Sequence, residues 1–373
     1  MQISALKENF NNENRVALTP DTIKLFQRLG LEVLIEDGSG NNSGYPNDLY
    51  EANGAKIASR DQCLKANICL CVKIPNDNDL QQLNENTVLI GILNPYENKK
   101  YFNTLNEKKI ISCCMELIPR ISRAQSMDVL SSQANLAGYR SVIDAAEQFG
   151  KAFPMMMTAA GRVNPAKVMV LGVGVAGLQA IATAKRLGAV VSATDVRAAT
   201  KEQVESLGGK FIMVEDEEST NPETEGGYAK EMSDEYKQKQ AKLIAETIAK
   251  QDIVICTALI PGKKAPVLIS QEMVESMASG SVVVDLAVEA GGNCPLSKEG
   301  EVVDHGGVKI VGYANVPGRV AKDASALYAK NIFNFLSLII NKDEKNINFN
   351  WEDEIVNAVT LTYEGKLRLE QFK

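Results

Sequence analysis

Three glycines and an aspartate, at a spacing that suits a phosphate-bearing ligand, are the residues whose chemistry follows most directly from this sequence. Gly172, Gly174 and Gly177 follow a short apolar run, and Asp195 follows a second apolar run beyond a helical stretch. In such a unit the first glycine permits a tight turn, the second lets a pyrophosphate approach bare backbone, and the third lets helix and strand pack closely. The acid accepts hydrogen bonds from the ribose hydroxyls. The pattern predicts an NAD(H) site.

The residues beside this pattern define the choice of cofactor and the predicted contacts. Arg197 can attract a 2′-phosphate, but Asp195 stands in the ribose position and repels one, so the sequence favours NAD(H) over NADP(H). An ordinary strand–helix–strand unit with a glycine turn is the alternative interpretation. Further cofactor contacts are predicted at Val175, Ala176, Val196, Arg197, Ala258 and Leu259.

A polar segment, residues 116–131, follows another predicted strand. It places Arg120, Gln125, Asp128 and Ser131 among apolar residues. Folded over a cofactor cleft, these side chains would offer donors and acceptors to a carboxamide and a ribose. A capped helix start with a local Arg–Asp pair would explain the same pattern. The residues leave both interpretations open.

A second unusual segment, residues 215–228, is acidic and carries paired glycines near its end. Its composition cannot build a core and predicts a surface loop. It is either a solvated insertion or a lid, with Gly226 and Gly227 as the hinge and Tyr228 as the contact that orders it.

The composition excludes several classes of function. A net charge of -7 and a pI near 5.2 argue against nucleic acid or an anionic membrane as a direct partner. Seven cysteines without a CxxC pair, four of them in apolar runs, predict reduced core residues. The single histidine, His305, lies in a predicted turn, so neither a histidine-based triad nor a metal site is expected. The polar stretch 8–15 argues against a signal peptide, and no apolar run is long enough to span a membrane.

A chain of 373 residues is long for one core, so two domains are expected. The pattern predicts two Rossmann-like, doubly wound parallel-sheet α/β domains, joined by long helices, with a cleft between them. The first comprises residues 1–130 and 322–373, and the second, which binds NAD(H), comprises residues 131–321. Thr19 and Pro20 predict the start of a helix. Strands are predicted at 2–6, 32–35, 68–72, 88–93, 110–115, 168–171, 189–193, 210–214, 253–257, 281–286 and 308–311, and long helices at 131–149, 232–250 and 323–340.

Several motifs together resemble the alanine dehydrogenase/transhydrogenase family over essentially the whole chain. They are Lys7-Glu8 with the segment 15–20 (RVALTP), the segment 122–131 (SRAQSMDVLS), the segment 226–231 (GGYAKE) and the segment 314–319 (ANVPGR). The resemblance is closest to the NAD(H)-binding component of the proton-translocating NAD(P) transhydrogenase branch. It implies that this chain passes hydride directly between NADH and NADP⁺ held on a partner domain.

The resemblance also implies roles for individual residues. The residues that match Arg120, Gln125, Asp128 and Ser131 form a loop over the nicotinamide. The arginine and aspartate hold the NAD(H) head, and the glutamine faces the NADP(H) of the partner domain. Gly227 and Tyr228 match a loop that closes over bound nucleotide.

Partners and location are implied in the same way. The family component is a homodimer that works with membrane-spanning and NADP(H)-binding subunits. The chain is therefore expected to be cytoplasmic and peripheral, on the inner face of the cell membrane or the matrix side, with no membrane insertion of its own.

Two other functions remain open at this point. An alanine dehydrogenase-like enzyme moves protons as well as hydride and needs a positioned acid or base. Arg15 and Lys73 match its carboxylate-binding residues, but its histidine is absent at the strand end that reads Asn94 here. Transfer between two nicotinamides needs only alignment and exclusion of water, so the single turn histidine favours the transhydrogenase. A non-catalytic NAD-binding scaffold is the second alternative.

Overall fold

Continuous apolar runs form the central strands of two separate sheets, as expected for strands that are covered on both faces. The computed structural model describes residues 1–197, 199–214, 233–259, 262–342, 344 and 346–373. The chain forms two compact units, one of Met1–Gln133 with Pro317–Lys373 and the other of Ala134–Val316. Both are α/β units built on parallel sheets.

The strands in chain order are β1 (Gln2–Ala5), β2 (Glu32–Glu36), β3 (Lys56–Ala58), β4 (Ile68–Lys73), β5 (Val88–Ile92), β6 (Ile111–Cys114), β7 (Met156–Thr158), β8 (Gly161–Val163), β9 (Lys167–Leu171), β10 (Val190–Thr194), β11 (Lys210–Phe211), β12 (Ile253–Cys256), β13 (Val282–Asp285), β14 (Val302–His305), β15 (Val308–Val311), β16 (Ile340–Asn341), β17 (Asn346–Ile347), β18 (Thr360–Tyr363) and β19 (Lys366–Leu367). The helices are α1 (Pro20–Arg28), α2 (Asn47–Ala52), α3 (Arg60–Leu64), α4 (Asp77–Gln82), α5 (Phe102–Glu107), α6 (Val129–Gln148), α7 (Val175–Arg186), α8 (Thr200–Ser206), α9 (Asp234–Ile248), α10 (Gln271–Glu275), α11 (Ala321–Ile339) and α12 (Glu354–Val359).

The sheet of the first unit has the order β19-β18-β6-β5-β4-β1-β2-β3 among the described residues. Its strands β1 to β6 are parallel, and the C-terminal strands β18 and β19 add an antiparallel edge. The predicted start of α1 is confirmed, with Thr19 as N-cap and Pro20 as the first helical residue. Phe26 of α1 is fully buried, and its ring meets that of Phe333 of α11 edge to face, with centroids 5.5 Å apart.

The sheet of the second unit has the order β11-β10-β9-β12-β13-β15-β14 among the described residues. All neighbours except β14 and β15 pair in parallel. The chain runs outward from β9 to β10 and β11, and then returns to add β12 on the other side of β9. This reversal makes the carboxyl ends of β9 and β12 a topological switch point, where open α/β sheets bind their ligands.

Some local predictions need correction. The prediction of a turn at His305 is wrong, because this residue ends strand β14, which pairs antiparallel with β15, and the turn is at Gly306 and Gly307. An edge strand of four residues that ends in polar side chains carries little periodic signal. The strand predicted at 210–214 ends at Phe211, because only Lys210 and Phe211 pair with β10.

The cysteines and the longest helices are simply described. All seven cysteines are free and buried, as predicted for those in apolar runs, and burial raises the pKa of thiols such as Cys69 and Cys113 to about 12. Over the described ranges, none of the helices combines the length and apolar character that crossing a bilayer requires.

Candidate functional site

The glycine turn lies directly after β9, and its backbone shape explains two of its glycines. Gly172 has a φ of 97°, a left-handed conformation that side chains rarely adopt. A Cβ on Gly177 would lie 2.0 Å from the carbonyl oxygen of Gly172, so this position accepts only glycine without movement of the turn. The Thr257 Oγ1 donates to the same carbonyl at 2.9 Å and ties the turn to the end of β12.

Gly174 differs from these two because nothing in the folded chain requires it. Its φ is -80°, and a Cβ built on it would have no neighbour within 4 Å among the described residues. Gly174 and Val175 are exposed at the N-terminus of α7, a helix of 12 residues. The first N–H groups of a helix lack intrahelical partners and attract anions. The open face at Gly174 therefore fits a pyrophosphate that approaches the backbone.

Asp195 follows β10 and is tied to the glycine turn. Its carboxylate accepts a hydrogen bond from the Val173 backbone N–H at 2.6 Å and from the Arg197 Nε at 2.9 Å. Burial alone would raise the pKa of Asp195, but the hydrogen bonds from Arg197 and from the Val173 backbone hold that pKa below its ordinary value. The carboxylate is therefore ionised at neutral pH, beside the turn. Arg197 is paired with it, and Val196 is 78% exposed.

The loop after β12 carries Ala258 and Leu259, and a residue that sequence reasoning missed holds it. Asn293 is fully buried, and its side chain exchanges two hydrogen bonds with the Ala258 backbone, of 3.2 Å from the N–H and 2.9 Å to the carbonyl. It also donates to the Pro266 carbonyl at 2.7 Å. Leu259 is 57% exposed. The backbone at Ala258 is therefore fixed next to the glycine turn, while the Leu259 side chain is available to a ligand.

The segment with Arg120, Gln125, Asp128 and Ser131 lies in the first unit. Residues Ser122–Met127 form a 3₁₀ helix, and Asp128 then caps α6 by accepting hydrogen bonds from the Ser131 N–H at 2.9 Å and from its hydroxyl at 2.5 Å. This is the capped helix start that the pattern allowed. The local Arg–Asp pair that accompanied it is wrong for Arg123, which pairs instead with a distant carboxylate, Asp353.

Arg120 and Gln125 are exposed, and neither side chain has a hydrogen bond or ion pair within the described part of the chain. Both are thus available to a ligand or a partner. Gly227 and Tyr228, the other two predicted contacts, lie outside the described residues.

Two family models match the chain in succession. The model described as "Alanine dehydrogenase/PNT, N-terminal domain" matches residues 4–137, and "Alanine dehydrogenase/PNT, C-terminal domain" matches residues 141–370. The chain belongs to the alanine dehydrogenase/PNT family.

Individual relatives within the alanine dehydrogenase/PNT family differ in their likeness to this chain. The first of the two alpha-subunit polypeptides of the NAD(P) transhydrogenase of Rhodospirillum rubrum is 55% identical, over 98% of this chain and 97% of its own length. The crystal structure of transhydrogenase from Sinorhizobium meliloti has a TM-score of 0.91 and 50% identity, over 98% of this chain and all of that one. Alanine dehydrogenase 1 of Staphylococcus aureus is 29% identical, over 98% of this chain and 94% of its own length.

The residues that match an alanine dehydrogenase-type carboxylate site are engaged within the first unit. The buried Arg15 guanidinium donates to both oxygens of Glu13, at 2.8 and 2.7 Å, and to the Gln133 side chain at 2.8 Å. Asn94 stands where a histidine would be needed, with its backbone N–H on the Glu116 carboxylate and its amide on Glu97. An amide cannot act as the acid or base of a deamination near neutral pH.

Glu116 gives the first unit a pH-dependent stability. Burial raises its pKa from 4.5 to about 7, against the lowering effect of backbone N–H groups that include Asn94 and Leu93. Between these values the unfolded chain releases the proton first, so the free energy of unfolding should fall as pH rises from about 4.5 to 7. We expect Glu116→Gln to remove roughly 1–3 kcal/mol of this decrease.

Urea unfolding midpoints at pH 5 and pH 8 measure the effect. Glu107→Gln, which removes an exposed carboxyl in the same unit, is the matched control. Glu8, which burial raises to a pKa of about 8, will retain its own part of the slope in both variants. A Glu116→Gln variant with the full wild-type pH dependence would contradict the assignment.

Proposed function

We propose that this chain is the NAD(H)-binding component of a proton-translocating NAD(P) transhydrogenase, and that it passes hydride directly between NADH and NADP⁺ held on a partner subunit. The observation that supports this most is the glycine turn at the switch point of the second sheet, with an ionised acid bonded to it. The named transhydrogenase relatives cover the whole of this architecture at higher identity than the alanine dehydrogenase.

The residues present fit NADH. Gly174 and the first N–H groups of α7 receive the pyrophosphate, and Asp195 receives the ribose hydroxyls. NADH supplies the hydride at its nicotinamide C4. Arg120 and Asp128 would hold the nicotinamide end, and Gln125 would face the NADP(H) of the partner. Because no proton accompanies the hydride, the chain has to align and shield the reactants but needs no general base.

The described residues agree with that division of labour. His305 is at an edge strand and hydrogen-bonds to Glu275 at 3.0 Å, on the surface. Arg15 is saturated by its own neighbours, as described above. The exposed, unengaged side chains of Arg120 and Gln125 are instead suited to contacts that form only with cofactor and partner.

Partners follow from the same proposal. The chain would work with membrane-spanning and NADP(H)-binding subunits, which would hold it at the inner face of the membrane. We also propose a homodimer, because Met155, Met156 and Met157, at the start of the hairpin β7–β8, have exposed fractions of 54, 41 and 69%. Adjacent exposed methionines are typical of a contact surface.

The deciding experiment mixes the purified chain with the NADP(H)-binding subunit of a transhydrogenase and follows reduction of an NADP⁺ analogue by NADH. We expect hydride transfer that depends on both proteins. Transfer that fails in this mixture, together with L-alanine-dependent NAD⁺ reduction by the chain alone, would favour an amino-acid dehydrogenase. NADH binding without either activity would favour a scaffold.

Cofactor preference gives a separate prediction. Asp195→Asn removes the charge that repels a 2′-phosphate and frees Arg197 from its ion pair. We expect NADH to bind about 10-fold more weakly and NADPH to bind more tightly than to wild type. Titration calorimetry with both nucleotides measures this. Asp252→Asn is the control, because that carboxylate binds Lys151 and the Lys167 N–H at the opposite, amino end of the sheet. Unchanged relative affinities in Asp195→Asn would refute the role.

A further inference from the structure

The backbone of the segment 120–131 is held from outside by polar side chains of the C-terminal part of the same unit. Asn331 and Asn334, one turn apart on α11, both donate to the Ser126 carbonyl oxygen at 2.9 Å. Two side-chain amides on one carbonyl fill both of its lone pairs. The 3₁₀ turn that contains Gln125 is therefore fixed at its C-terminal side.

Asn331 is placed where an amide is costly unless it is satisfied. It is 7% exposed, and its neighbours Ile332 and Phe335 are fully buried core residues of α11. Both ends of its amide are used, since the oxygen also accepts from the Ser132 hydroxyl at 2.8 Å. A buried amide whose every described contact is with the segment 126–132 has little reason to be in this helix except to hold that segment.

The other side of the turn is held by an ion pair. Arg123 donates to both carboxylate oxygens of Asp353, at 2.8 and 2.7 Å. Such two-point pairing fixes orientation as well as distance. Asp353 is itself immobilised, because it caps α12 by accepting from the Ile355 N–H at 2.9 Å. Gln125 thus lies between two anchored residues, Arg123 and Ser126, while its own side chain stays exposed.

We propose that Asn331, Asn334 and Asp353 are positioning residues, which hold the backbone around Gln125 in the geometry needed for hydride transfer. This inference rests on the proposed function, because it assigns the reason for the rigidity to alignment of two nicotinamides. A displacement of about 1 Å in an aligned reaction can cost on the order of 100-fold in rate. A loop that carries an exposed, unpaired side chain needs such external support to keep that alignment.

Two variants test the brace without removing core atoms. Asn334→Asp is isosteric and puts an acceptor against the Ser126 carbonyl, and Asp353→Asn keeps a helix cap but loses the charge. Ser337→Ala, on the same helix with a hydroxyl bonded only to the Phe333 carbonyl among the described contacts, and Glu352→Gln, an exposed neighbour, are the matched controls. Each is compared by hydrogen exchange of the chain alone and by single-turnover hydride transfer with the NADP(H)-binding subunit.

We expect both test variants to exchange the amides of residues 121–127 faster and to transfer hydride about 10- to 100-fold more slowly, with unchanged NADH affinity. The controls should match wild type. Faster exchange with an unchanged transfer rate would show a merely structural role and overturn the inference, as would unchanged exchange. A wild-type mixture that transfers no hydride would instead overturn the proposed function, and would remove the reason for the brace with it.

Discussion

Replacing Gly174 by alanine should abolish NADH binding and leave the chain as stable as wild type. The added methyl group meets no described atom within 4 Å, and the φ of -80° suits any residue, so the fold has nothing to lose. The same methyl group would occupy the face on which the pyrophosphate approaches the backbone. We expect the dissociation constant to rise by about 100-fold or more, measured by calorimetry beside a thermal unfolding scan.

Gly177→Ala provides the contrast. Its methyl group would be 2.0 Å from the Gly172 carbonyl oxygen and 3.3 Å from the Thr257 hydroxyl, so the turn must open and the second unit must lose stability. The pair separates the two roles of glycine, one toward the ligand and one toward the fold. If Gly174→Ala binds NADH normally, or if it unfolds as readily as Gly177→Ala, the cofactor does not cross the turn as proposed.

Replacing Gln125 by alanine should lower hydride transfer by about 100-fold without changing the thermal stability of the chain. The side chain is exposed and has no hydrogen bond within the described residues, so its removal costs the folded chain little. Its contacts are expected only when the NADP(H)-binding subunit is present. Single-turnover transfer, NADH titration and thermal unfolding together separate catalysis from binding and from stability.

Ser126→Ala is the matched control for this measurement. The Ser126 side chain is exposed, while the atom of the residue that the brace uses is its carbonyl oxygen, which the substitution keeps. A Gln125→Ala variant that transfers hydride at the wild-type rate would support the scaffold interpretation. A loss equal in both variants would show that any change in this turn is harmful and that Gln125 has no particular role.

The nucleotide-binding half of the site is local in the chain, which is why the sequence predicts so much of it. Gly172 and Gly177 act on each other within one turn, and Asp195 reaches that turn through Val173. The two-domain α/β fold follows from the apolar strand pattern in the same way, and the structural likeness confirms it.

What the sequence did not reveal depends on contacts between distant segments. Asn293 reaches Ala258 from the loop after β13, and Asp353 reaches Arg123 across 230 positions. A single sequence has no period or motif that marks such pairs. The edge strand β14 was missed for a different reason, because it is short and its pairing with β15 is made visible only by the sheet.

The bond from the Val173 N–H to the Asp195 carboxylate has an evolutionary consequence. One side chain both selects the sugar and braces the phosphate-binding turn, so the two traits cannot drift apart. A lineage that moved toward the phosphorylated coenzyme by exchanging this acid would slacken its own turn in the same step. Descendants that made such a change should carry a second substitution near Val173 or Arg197 that restores the lost support.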